Sequence, residues 1–188
     1  MQFYRILDDI NYNNRWFLGS IPDLTDIWKY TSATRIEPPV STIPISLRTE
    51  GLHMDFTFAD FELPIINEKC RRLLPANEIQ VLPVTLPAHV KKENSYILII
   101  IHEIECVDEA NSEYSKFDYN DSVRPDKSGE FRSFSKLIID PSKVIGANIF
   151  RIKRFNNAII ISQYLKDILE MNAITGIIFQ NVTVNKPM

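Results

Sequence analysis

Few residues in this chain have chemistry to offer: three histidines and two cysteines among 188 residues. His102, Glu103 and Cys106 lie closest together. Neighbouring strand residues point to opposite faces, so His102 and Glu103 would not converge on one metal ion. His102 and Cys106 would share a face, but a rise of ~3.3 Å per residue sets them roughly 13 Å apart along the backbone. A thiol nucleophile needs its base within hydrogen-bonding reach, and zinc needs three or four ligands held together. Neither condition is met. There is no Gly-x-Ser-x-Gly elbow and no His-Glu-x-x-His helix. The glycines, Gly19, Gly51, Gly129, Gly146 and Gly176, are too dispersed for a phosphate-cradling loop. Cys70 and Cys106 cannot build a disulfide framework or a four-thiolate zinc site. No catalytic residue, cofactor or metal is expected.

Carboxylates are plentiful, but unevenly placed. Between Glu103 and Glu130 nine acids face Lys116, Arg124 and Lys127, a local charge of −6 in a chain whose net charge is −3. Loose acids on a loop do not make a glycosidase, whose pair must be held at a fixed separation. Tyr114, Phe117, Tyr119 and Phe131 are interleaved with the acids. From Asp108 to Ser135 no period of 2 or 3.6 is visible, which reads as a long acidic surface loop. Carboxylates alternating with aromatic rings suit recognition of a basic protein surface. The candidate contact residues are Asp108, Glu109, Glu113, Tyr114, Phe117, Asp118, Tyr119, Asp121 and Asp126. A solvated excursion without a partner is the plainer alternative.

The elements that must position this loop are mostly strands. Phe3 to Leu7 and Arg15 to Leu18 read as two short strands joined by an Asp/Asn-rich turn. Asp23 or Thr25 could cap a helical turn through Trp28, and Glu37-Pro38-Pro39 is a break that no helix crosses. Met54 to Phe61 alternates, with Phe56 and Phe58 on one face. Pro83 and Pro87 mark Glu78 to Leu86 as an edge strand able to pair in a dimer. Tyr96 to Val107 is the longest strand, apolar on both faces at its start, as a central strand would be. Further strands are expected at Leu137–Ile139, Ile149–Lys153, Ala158–Ile161 and Gly176–Val184. Ile65 to Leu74 and Ile160 to Leu169 match at an offset of 95 residues. Each is an apolar pair, an N-cap (Asn67 or Ser162) and a helix with one apolar stripe. Internal duplication and convergent packing both account for the match. Trp16 and Trp28 read as packing aromatics.

Length and apolar content fit one α+β domain over residues 1–188, with a mostly antiparallel or mixed sheet and two short capped helices. The N-terminus shows no signal peptide, and the longest apolar run, Tyr96 to Ile101, is far short of the ~20 residues of a membrane span. A cytoplasmic protein without membrane or nucleic-acid partners is expected, since nucleic-acid binding needs a basic patch. The oligomeric state is not legible.

Order and spacing carry one further signal. Ile149-Phe150-Arg151, Ile159-Ile160-Ile161-Ser162, Leu165 and Ile174-Thr175-Gly176-Ile177-Ile178-Phe179 follow in succession. Upstream stand Asp55-Phe56, Pro64-Ile65-Ile66-Asn67-Glu68, Tyr96, Cys106-Val107-Asp108 and Ser112-Glu113-Tyr114. The opening Tyr4-Arg5-Ile6-Leu7-Asp8-Asp9 with Arg15-Trp16-Phe17 belongs with them. Together they resemble a bacterial immunity-protein family that accompanies polymorphic toxins, formerly catalogued as a domain of unknown function. The resemblance is strongest over 54–184 and weaker over 1–53. Asn67 stands where that family usually has Ser, and Gln163 where it often has Glu; both substitutes still serve at a helix start. The resemblance implies a non-enzymatic protein that binds and neutralises a cognate toxin, and it supplies no catalytic residues. Two alternatives stay open: a ligand-binding or enzymatic domain with a pocket near His102, and an adaptor or chaperone for an effector.

Overall fold

The computed structural model describes residues 1–22, 27–87 and 94–185. Its strands are β1 (Phe3–Asp8), β2 (Phe17–Leu18), β3 (Ile43–Pro44), β4 (Leu47–Thr49), β5 (Phe56–Ala59), β6 (Leu63–Asn67), β7 (Ile79–Thr85), β8 (Ser95–Ile100), β9 (Glu103–Ile104), β10 (Glu113–Lys116), β11 (Phe131–Lys136), β12 (Ile138–Ile139), β13 (Ile149–Ile152), β14 (Phe155–Ser162) and β15 (Ile177–Val184). Two α-helices accompany them, α1 (Glu68–Leu73) and α2 (Gln163–Met171). The described residues are thus β-rich with two short α-helices. One sheet runs β3-β7-β8-β6-β5, the other β12-β15-β1-β14-β13-β9. Both are mixed: antiparallel within, with parallel partners at β3, β12 and β9.

The two sheets are built to one plan. In each, a hairpin (β5-β6 or β13-β14) leads into a capped helix and then a strand (β7 or β15). A central strand separates that strand from the hairpin, β8 in the first sheet and β1 in the second. The registers coincide: Asn67 pairs with Ser95 and Val84 with Ser95, while Ser162 pairs with Phe3 and Val182 with Phe3. Ile101 N–H donates to the Glu78 carbonyl and Asp9 N–H to the Gly176 carbonyl, each at 3.1 Å. Asn67 N–H donates to the Asp55 carbonyl as Ser162 N–H does to that of Asn148. Tyr96 donates to the Glu68 carboxylate at 2.9 Å, and Tyr4 to the Gln163 side-chain oxygen at 2.5 Å. Matching register, caps and tyrosine bonds favour duplication over convergent packing. Each unit gives its first strand away. β1 begins the first unit yet completes the second sheet, and β8 begins the second unit yet completes the first.

Burial follows this plan. Ile6, Phe56, Ile66, Cys70, Leu98, Ile149, Ile161, Leu165 and Leu169 form a core between the sheets and helices. The outer face of the first sheet lies under Trp16, Leu18, Ile21, Tyr30 and Ile45, from the segment between β1 and β5. The outer face of the second lies under Cys106, Val107, Phe131, Ile139 and Val144, from the segment between β8 and β13. These segments are two covers, one for each sheet.

Several expectations need correction. Phe3–Asp8 and Phe17–Leu18 do not form a hairpin: β1 pairs with β14 and β15, and β2 with β4. Phe3 and Ile6 are both buried, and a strand with apolar residues on both faces gains most from neighbours on both edges. The strand expected to reach Val107 ends at Ile100, and β9 then joins the other sheet. β7 is not a free edge: β3 pairs with Val84 and Thr85, and the Gln80 amide exchanges two hydrogen bonds with the Ile36 backbone. The 108–135 segment is not structureless, since β10 and β11 pair within it. Register shifts in that ladder erase the alternation that would have betrayed the strands. The cap expected at Asp23 or Thr25 lies outside the described residues; a 3-10 turn follows at Trp28–Tyr30. Both tryptophans pack: Trp16, expected to be partly buried, is fully buried, and Trp28 is 49% exposed with its ring against Phe61.

Candidate functional site

The second cover holds every residue singled out for contact, and its carboxylates are mostly engaged within it. Glu109 accepts from Lys116 (2.8 Å), Arg154 (2.8 Å) and Tyr114 (3.1 Å). The Lys116 bond foremost holds its carboxyl down to about 2. Asp108 accepts from the Asn111 and Asn185 side-chain amides, each at 2.7 Å. Asp121 accepts from the backbone N–H groups of Val123 and Arg124 at 2.8 Å, which lowers its pKa. Asp126 is gripped by both prongs of Arg124, at 3.0 and 2.7 Å, and is lowered by that bond. Glu113 accepts from Ser135 at 3.2 Å. Tyr114 is half-buried against Phe131 of the paired strand, ring centroids 5.0 Å apart, so it packs the hairpin together. Asp118 and Tyr119 stand exposed, Tyr119 at 83%.

Phe117 and Asp126 are brought together in a cleft of about 280 Å³ between the two covers. Trp28 forms the first cover's wall; Arg124, Lys127 and Arg132 come from the second; Arg154 to Asn157, at the β13-β14 turn, make the floor. Arg124 crosses the gap and lies 5.3 Å from the Trp28 ring. Phe61, 55% exposed on the β5-β6 turn, packs edge-on against Trp28 at 5.9 Å. The sequence reading took Trp28 for a packing aromatic and passed over Phe61, Arg132 and Arg154. The one available signal was the Asp60-Phe61-Glu62 turn, which has neither Gly nor Asn where a tight hairpin prefers them.

The alternative centre around His102 gains little. The His102 carbonyl accepts from Arg151 N–H at 2.8 Å, which fixes the backbone in the sheet. Cys106 is fully buried and burial pushes its thiol up to about 12; Cys70 is raised to about 12 for the same reason. Neither sulfur is poised as a thiolate. Among the described residues no group of three or more His, Cys, Asp or Glu is arranged to hold a metal ion.

Residues 60–184 match the immunity protein family Imm11. The chain belongs to that family. The Imm11 match begins at the β5-β6 turn and takes in the whole second cover, both helices and β15. The first cover and β1 precede it. No curated protein matches the chain.

Proposed function

We propose that this chain is a non-enzymatic immunity protein that binds and neutralises a cognate toxin in the cytoplasm of the cell that makes both. Membership of Imm11, with a match spanning the whole second cover, carries the reading. The contact surface is the outer side of that cover, centred on Asp118 and Tyr119. Ion pairs within 103–130 leave its charge of −6 unchanged, and Lys153 and Arg154, bound to Glu105 and Glu109, offset only part of it, so the segment still steers a toxin with a basic surface. Tyr119 supplies the kind of ring that interfaces use as an anchor. No helix among the described residues is long and apolar enough to cross a membrane.

Co-expression with the product of the neighbouring upstream gene tests this, scored by survival and by co-purification. Rescue with a stable complex is the expected result. A complex without rescue would indicate an adaptor or chaperone. Neither toxicity nor complex would overturn the reading and favour a ligand-binding domain.

A further inference from the structure

β7 and β15 hold the same place in their sheets, and two shared landmarks align them. Val84 and Val182 pair with Ser95 and Phe3 of the central strands, and the carbonyls of Glu78 and Gly176 accept from the N–H groups of Ile101 and Asp9. Gln80 therefore corresponds to Ile178, and Pro83 to Asn181. Alternate residues of an antiparallel strand bond to the same neighbour. Gly176 and Val182 are turned towards β1, so Ile177, Phe179 and Asn181 turn their N–H and C=O groups to the outer edge.

The edge of β7 is defended. Pro83, at an outward position, has no N–H to offer, Thr85 accepts from Ile45 N–H, and the Gln80 amide holds the Ile36 backbone beside the strand. The edge of β15 has none of this. β12 reaches only Thr183 and Val184, and among the described residues nothing bonds to the outward backbone groups of Ile177, Phe179 or Asn181. The strand has no charge, no proline and no bulge, the devices that keep an edge from pairing. Where Gln80 ties down a cover, Ile178 stands 41% exposed.

We propose that β15 pairs with β15 of a second copy of this chain, antiparallel across a two-fold axis at Ile178. This register sets Ile178 opposite Ile178 and Ile177 opposite Phe179, so the central cross-strand pairs are all apolar. The outward N–H and C=O groups of Ile177 and Phe179 meet those of the other copy. A strand paired with itself is the self-complementary contact that a two-fold dimer needs. No like charges are opposed: the strand has none, and Lys166, whose Nζ lies 5.5 Å from the Phe179 ring, is paired with Glu170. The same lack of charge gives this edge nothing to offer a basic toxin surface, which makes a second copy the better occupant. The contact is short, so the dimer is weak and forms at high protein concentration.

Sedimentation equilibrium of the full chain from ~1 μM to ~1 mM tests this. A reversible monomer–dimer equilibrium is expected. Ile178→Lys sets like charges face to face and should weaken it about 10-fold or more, with Tm unchanged because the side chain is already part-exposed. Ile178→Cys should give a covalent dimer on mild oxidation, since residues opposed in this way have Cα atoms ~4.5 Å apart, within disulfide reach. Gln180→Cys, on the same face but ~13 Å from its counterpart, should react far more slowly. Cys70 and Cys106 are buried and do not compete. A chain that stays monomeric over the whole range, a dimer that Ile178→Lys leaves intact, or equal rates for the two cysteine variants would each overturn the proposal. If the chain stayed monomeric and toxin shielded the Ile178→Cys thiol from alkylation, the edge would pass to the toxin instead.

Discussion

The two halves share a scaffold and differ in what they place over it. Hairpin, cap, helix and central strand recur position for position, down to Tyr96 on Glu68 and Tyr4 on Gln163. The covers have diverged. The first is tied down by Arg15, buried against Asp8 at 3.0 Å and Thr57 at 2.7 Å. The second is an acidic hairpin tied down by Glu109 to Arg154. Repetition below and divergence above separate a shared scaffold from two unlike surfaces.

The largest expected effect lies where the halves cross. Gly176 has φ +88°, and a Cβ there would sit 1.9 Å from the Phe56 carbonyl oxygen. Gly176→Ala should cost at least ~3 kcal/mol in denaturant unfolding, the range of severe backbone and packing conflicts. A near-neutral result would mean that the halves do not approach this closely. Next is Glu78, 3% exposed, whose carboxylate accepts from Asn148 N–H (2.7 Å) and Ile149 N–H (2.9 Å). Its opposite number in the crossing is the Thr175 carbonyl, which accepts from Phe56 N–H. Glu78→Ala strands two buried donors and should cost ~2–4 kcal/mol. In the other half only one of the two bonds uses a side chain, the Thr175 hydroxyl accepting from Asp55 N–H at 3.0 Å, so Thr175→Ala should cost less than Glu78→Ala.

The caps offer a stricter comparison. Asn67 accepts from Cys70 N–H at 2.9 Å and Ser162 from Leu165 N–H at 3.2 Å. Asn67→Ala and Ser162→Ala should each cost ~1 kcal/mol. Losses that differed several-fold would show that the halves are alike in path but not in energetics.

Acid should divide the covers. Glu109 is held down to about 2 when folded, below its ordinary ~4.3, so its contribution is fully present above ~4.3 and is lost as pH falls towards about 2. Asp8 has the opposite shift: burial, outweighing its bond from Arg15, raises it. The folded state therefore takes up that proton more readily than the unfolded chain, and acidification does not penalise the first cover through Asp8. Trp16, stacked on His53 in the first cover, and the tyrosines of the second report separately. The tyrosine signal should change at higher pH than the Trp16 signal. The smallest effect concerns kinetics: Asp118→Asn should slow toxin association by less than about 2-fold and slightly flatten its salt dependence, without altering stability.

Much of the scaffold was legible, because local rules governed it. Asn67 and Ser162 announced helices through side chains that could accept from the next turn, and the apolar run Tyr96 to Ile101 announced a central strand, though not its end at Ile100. The exchange of β1 and β8 was hidden, since pairing between residue 3 and residue 182 leaves no mark in local periodicity. The second cover was recognised by composition but misread as a loop, because its bulged ladder defeats any period-2 count. Its acids were visible; their partners, such as Arg154 for Glu109, lie 45 residues away in sequence. The cleft was illegible for the same reason, as Trp28, Phe61 and Arg132 meet only after both covers are in place.

The exchanged strands also bear on how the molecule is made. β1 leaves the ribosome long before the strands that pair beside it, Phe155–Ser162 and Ile177–Val184. The second sheet therefore cannot close until synthesis has passed residue 184, and β1 must wait for its partners until then. Contacts between such distant residues make for slow folding. If the proposed function holds, a cell relying on this protein for protection would have to start making it well before the toxin.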